Sequence, residues 1–153
     1  MNATNGKRLV AGGLVAAIVL TIGRGVTETA LAEQYRVMFE RLGVTGVGES
    51  AMLLVLAFSA LVGMTAVWLY TAVRRTYGAG PRTALKVACA VWVLSCVAPS
   101  AMLLAFGIIT PTLFTIGMAA DLVQVTAAVL AGAWVYRDAT DPATARVPAA
   151  AGI

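Results

Sequence analysis

Four long apolar runs, separated by gaps of which only alternate ones are strongly basic, constrain this chain more than any other feature. The runs cover residues 9–28, 51–73, 87–109 and 113–136. A hydrocarbon core takes about 20 helical residues to cross, and each run is long enough. The first is apolar only to Ile22, so its helix must continue through Arg24 towards Glu28. The expected fold is all-α: a four-transmembrane-helix bundle with a short interfacial amphipathic helix between spans one and two.

Composition points the same way. Hydrophobic residues make up 60% of the chain and charged residues 12%, where soluble proteins carry about 25% charged residues. In water, a chain of mean hydropathy +0.88 would expose too much apolar surface to remain monomeric; in a bilayer, lipid solvates those faces. Its 153 residues form one membrane domain, residues 1–137, with no room for a soluble domain beside it. Residues 138–153, rich in Ala, Pro and Thr, form a tail expected to be flexible. A rival reading of the N terminus is a signal peptide, with Lys7-Arg8, an apolar stretch and Ala30-Leu31-Ala32 as a cleavage site. The long gap after Ile22, interrupted by Arg24 and Glu28, argues for a span.

Orientation follows from the basic residues. Arg74, Arg75, Arg82 and Lys86 crowd the middle gap without an acid, and Lys7 and Arg8 precede the first run. The gap between runs one and two is mixed in charge, and residues 107–112 carry none. By the positive-inside rule both termini and the middle loop face the cytoplasm, in a plasma (inner) membrane. Trp68 and Tyr70 before Arg74, and Trp134 and Tyr136 before Arg137, are the matching interfacial anchors. Their recurrence needs no internal duplication, because any helix ending at that interface favours the same residues.

Within residues 30–43, Leu31, Tyr35, Met38 and Leu42 share one helical stripe, and Glu33, Arg36 and Glu40 take the other side. Such a helix lies in the outer interface or caps the bundle, and the stripe alone requires only the former.

The net charge of +4 and the pI near 9.5 do not indicate nucleic acid, since topology accounts for the basic residues. Histidine is absent, which removes His-ligated haem and His-based relays or metal sites. No cofactor or metal is expected. Cys89 and Cys96 stand seven residues apart on one helix, roughly 10 Å along its axis and too far for a disulfide. They read as packing residues, in a stripe with Trp92 and Ser100. Gly78-Ala79-Gly80-Pro81 lacks the spacing of a phosphate loop and reads as a turn.

The stretch Trp68-Leu69-Tyr70, Arg74 or Arg75, then Tyr77-Gly78-Ala79-Gly80-Pro81-Arg82-Thr83-Ala84 resembles an uncharacterised family of small four-span bacterial membrane proteins. Trp134-Val135-Tyr136-Arg137 is similar to its closing segment. The resemblance implies the four-span layout and no activity.

Helices in lipid associate through small residues and a few polar contacts. Span one offers Gly13, Ala17, Thr21 and Gly25; span two offers Ser59 and Gly63; span four offers Gly117, Asp121, Gln124, Ala128 and Gly132. Asp121 is the residue that needs an explanation, because an ionised Asp near mid-span costs about 2.5–3.5 kcal/mol on insertion scales. Arg24 is a candidate ion-pair partner and Gln124 a candidate hydrogen-bond donor. Two readings compete. One is a structural Arg24–Asp121 pair that docks spans one and four. The other is a site for a proton, ion or polar solute, with Glu28 and Thr21 on the Arg24 face. Pro99 is expected to bend span three.

These features suit a non-enzymatic multi-pass membrane protein. It is expected to be an accessory or scaffold protein packing through its small-residue faces, as a homo-oligomer or with another membrane protein. The alternative is a small oligomeric transporter or channel using Asp121. An enzyme acting on lipid or quinone would need at least two convergent reactive groups, and no motif supplies them.

Overall fold

The structure, a computed structural model, describes residues 3–44 and 48–136. Those residues are all-helical, with no strand among them. The elements are α1 (Ala3–Ala30), α2 (Ala32–Arg41), α3 (Glu49–Tyr77), α4 (Pro81–Trp92), a π-helical turn (Val93–Val97), α5 (Ala98–Ala105) and α6 (Pro111–Val135). Four stretches are long and apolar enough to cross a membrane: Gly6–Ala30, Glu49–Tyr77, Pro81–Ala105 and Pro111–Val135. The protein is therefore built as a multi-pass membrane protein. Leu54, Leu94 and Val123, each about 70% exposed, point outward from it, where lipid would cover them. The proposed tail, 138–153, lies outside the described residues.

Local chemistry sets the helix ends. Glu49 opens α3 and Arg74 and Arg75 close it, each charge opposing the helix dipole. Pro81 starts α4, where its missing N–H costs nothing. The third span stops at Ala105, short of the expected 109, because Gly107 takes a left-handed φ of 69°. Ile108 N–H donates to the Leu103 carbonyl and Gly107 N–H to that of Leu104, both at 2.9 Å, a Schellman closure. Thr110 then caps α6 by accepting from Leu113 N–H at 3.1 Å.

The spans form a ring in the order α1, α3, α4–α5, α6. Backbone proximity joins α1 to its two neighbours. A Cβ on Gly63 of α3 would lie 2.7 Å from both Ala17 N and Gly13 O of α1, and one on Gly12 would lie 2.7 Å from Gly132 O of α6. Ala16, Val67, Ala84, Val87, Ala128 and Val129 fill the centre. Such contact is what dispersion requires in lipid, where burial of apolar area supplies little driving force.

At the basic end, the paired aromatics divide. Trp68 and Trp134 face outward, whereas Tyr70 and Tyr136 are buried. The Arg74 guanidinium lies 5.9 Å from the Tyr70 ring centre and 5.6 Å from that of Tyr136. Tyr70 OH accepts from Gly80 N–H at 3.3 Å, and Thr83 Oγ1 donates to the Gly78 carbonyl at 2.8 Å, so the glycine segment serves as a turn.

At the opposite end, α2 lies across the α5–α6 connection. Leu31 is buried with Ile109 and Leu113, and Tyr35 and Met38 pack on that cluster. Arg41 Nη1 donates to the Gly107 carbonyl at 2.8 Å. On the exposed side, Arg36 pairs with Glu33 at 2.5 Å and with Glu40. Leu31, Tyr35 and Met38 of the apolar stripe thus face protein while Leu42 is exposed, and the helix lies over this end of the bundle.

Candidate functional site

Under α2, three spans contribute polar side chains to one cavity of about 230 Å³. Arg24, Thr27 and Glu28 come from the last two turns of α1, and Asp121 from α6. Ser95, Cys96 and Ser100 come from the π-helical turn and α5, and Tyr35 reaches in from α2. Arg24, Thr27 and Glu28 share a side because helical neighbours lie three and four residues apart.

The contribution of span three depends on the π-helical turn. Ala98 N–H donates to the carbonyl of Val93, five residues back. This widened turn lies just before Pro99, whose ring would clash with the carbonyl four residues earlier in a regular helix. The bend expected at Pro99 is accommodated by this change of winding. It also breaks the expected packing stripe: Cys89 is exposed to the outside while Cys96 is buried and borders the cavity with Ser100. Ser95 Oγ donates to the Val91 carbonyl at 2.7 Å, occupying a backbone acceptor beside the irregular winding.

Charges of both signs meet here without neutralising one another directly. Among the described residues, both ion pairs belong to Arg36; Arg24 and Asp121 share the cavity but do not form one. Of the two readings of Asp121, the direct ion pair with Arg24 is not formed. The Arg24 guanidinium instead stacks 5.2 Å from the centre of the Phe58 ring on α3. Asp121 is half-buried and Glu28 is exposed. Burial, and then the negative charges of Asp121 and Glu28, push the Tyr35 phenol above its usual range, while Arg24 pulls it back. Tyr35 consequently enters the cavity as a neutral hydroxyl at physiological pH.

The other polar candidates are engaged elsewhere. Gln124 Nε2 donates to Thr27 Oγ1, not to Asp121, and its side chain crosses Gly23, where a Cβ would lie 2.7 Å from Gln124 Cγ. Its Oε1 is buried without a hydrogen-bond partner. Thr21 Oγ1 donates to the Ala17 carbonyl at 2.9 Å and does not line the cavity. Comparison with protein-family models, curated proteins and solved structures gave no match.

The packing candidates have different surroundings. Gly13, Ala17 and Gly63 meet across α1 and α3, and Gly132 meets Gly12 and Ala16. Ser59 and Ala128 are buried, and Ser59 Oγ has no hydrogen-bond partner. Gly117 is buried, yet a Cβ there would meet nothing within 4 Å. No three His, Cys, Asp or Glu side chains converge as a metal site would need among the described residues. A larger groove of about 400 Å³ at the basic end is lined by Tyr70, Pro81, Trp134 and Tyr136, with Arg74 as its charged side chain.

Asp121, Arg24 and Glu28 stand out in the sequence because charges interrupt apolar runs. Thr27, Tyr35, Ser95, Cys96 and Ser100 join them only in the folded chain. The amphipathic stripe and Pro99 pointed to Tyr35 and the serines only separately.

Proposed function

We propose that this four-span protein binds a small polar solute or ion in the cavity around Asp121 and moves it across the membrane. In this proposal the α2 end faces outward, both termini lie in the cytoplasm of a bacterial cell, and the chain acts as a homo-oligomer within the small four-span family it resembles. The carrying observation is the cavity itself, which gathers Arg24, Glu28 and Asp121 from two spans beneath a helix that contributes Tyr35. Intramembrane charges lining a shared cavity commonly mark solute or ion pathways. The π-helical turn beside Pro99 supports the same reading, because such irregular winding is frequent at functional sites. In this mechanism it is the point at which the third span flexes.

The accessory reading, binding another membrane protein through the small-residue faces and the outer helix, is the alternative. Gly12, Gly13, Ala17, Gly63 and Gly132 approach one another inside the bundle, which leaves α2 and the outward faces for such a partner.

Two measurements test the proposal. Ser100→Cys, in a background carrying Cys89→Ser and Cys96→Ala, is expected to react with a hydrophilic, membrane-impermeant thiol reagent added at the α2 side. In proteoliposomes, Asp121→Asn is expected to abolish the wild type's flux of a proton, a cation or a small polar solute such as an amino acid while melting close to it. An unreactive Ser100→Cys, or a fluxless wild type whose Asp121→Asn variant melts much lower, would favour a structural role.

A further inference from the structure

The cavity holds one guanidinium, Arg24, and two carboxylates, Glu28 and Asp121, yet no ion pair joins them. Glu28 is exposed to water, so the half-buried charges are Arg24 and Asp121. A ligand of a single charge would satisfy one of them and leave the other uncompensated, which is costly away from water. A ligand bearing both signs satisfies both. Arg24 is held against Phe58, and its planar fork matches a carboxylate. Asp121 supplies acceptors for an ammonium, which presents three donors. Glu28, exposed at the rim, adds negative potential there, and Tyr35 and Ser100 contribute hydroxyls.

Size narrows the class. A volume of about 230 Å³ equals that of roughly eight waters at about 30 Å³ each, and falls below the roughly 300–1,000 Å³ of pockets for drug-sized ligands. It suits a solute of few heavy atoms. A solute of zero net charge also suits passage, since it carries no net charge of its own into the hydrocarbon region.

We infer that the solute is a compact zwitterion, a small amino acid, with its carboxylate at Arg24 and its ammonium at Asp121. This inference rests on the solute-site reading above.

The test uses the purified full chain in detergent, titrated with glycine, alanine and serine, and separately with acetate and methylammonium as the two half-ligands. Binding is followed by calorimetry and thermal shift. The amino acids are expected to bind and to raise the melting temperature where neither half-ligand does at equal concentration. Arg24→Lys, which keeps the charge but loses the fork, is expected to weaken amino-acid binding about tenfold, and Asp121→Asn roughly tenfold to a hundredfold. Equal binding of methylammonium would make this a cation site, and equal binding of acetate an anion site; either result overturns the inference and leaves a polar site standing. If no probe binds while Ser100→Cys remains reactive, the zwitterion assignment alone fails. If Ser100→Cys is also unreactive, the solute-site reading falls with it.

Discussion

Gly63→Ala drives a methyl group against atoms that cannot swing aside. Its Cβ would lie 2.7 Å from Ala17 N and Gly13 O and 3.1 Å from Ala17 Cα, all main-chain atoms of α1. Relief requires α1 and α3 to separate, which loosens the helix pair that holds Arg24 against Phe58. Overpacking a filled interior costs roughly 1–3 kcal/mol, and a backbone obstacle belongs in the upper half of that range. Alanine returns about 0.8–1.0 kcal/mol of helix propensity relative to glycine. The net loss is about 1–2 kcal/mol, equivalent to a fall in melting temperature of about 2–8 °C for a chain of this length. Gly117→Ala is the internal control: it gains the same propensity and its Cβ meets nothing within 4 Å, so it should melt at or slightly above the wild type. Thermal unfolding of the two variants in one detergent, followed by circular dichroism, measures the difference. If Gly63→Ala melts with Gly117→Ala, the close approach of α1 and α3 is not what holds them together.

Two further outcomes follow from α2 and from the winding of span three. The hydrogen bond and charge of Arg36 hold the Glu33 carboxyl below its ordinary value of 4.5. This contribution to α2 is fully present above that value and is lost as pH falls through the lowered folded pKa; hydrogen exchange in α2 should quicken there, and Glu33→Gln should remove the step. Pro99→Ala restores a backbone donor, so the third span should relax towards regular winding. The thiol reactivity of Ser100→Cys should then fall several-fold, and unchanged reactivity would separate the cavity from the π-helical turn.

The four spans were legible because lipid leaves a one-dimensional signature: runs of apolar residues of the right length, closed by Arg74, Arg75 and aromatic anchors. Helix α2 was legible from the stripe of Leu31, Tyr35, Met38 and Leu42. The stripe could not say whether it met lipid or protein, since both accept apolar side chains. Asp121 and Arg24 stood out by the cost of their charges. Their neighbours did not, because convergence depends on helix rotation, and periodicity within one helix is silent about its partners. Gln124 illustrates the limit. It lies one turn from Asp121 on the sequence, but Gly23 opens space for its side chain and Thr27 takes its hydrogen bond. The π-helical turn was the least legible element. Pro99 announced an irregularity, whereas which side of span three would present Ser95, Cys96 and Ser100 depended on how the turn was wound.

The ring order puts α1 beside α6, so two helices made at different times lie side by side. Arg24 and Glu28 therefore enter the bilayer well before Asp121 exists. A ribosome that stops after α5 leaves a guanidinium near the lipid with no carboxylate from the fourth span to face it. Until α6 inserts, Arg24 has the Phe58 ring of α3 as its partner. The arrival of α6 is thus the step that completes the cavity, whose other walls come from α1, α2, the π-helical turn and α5.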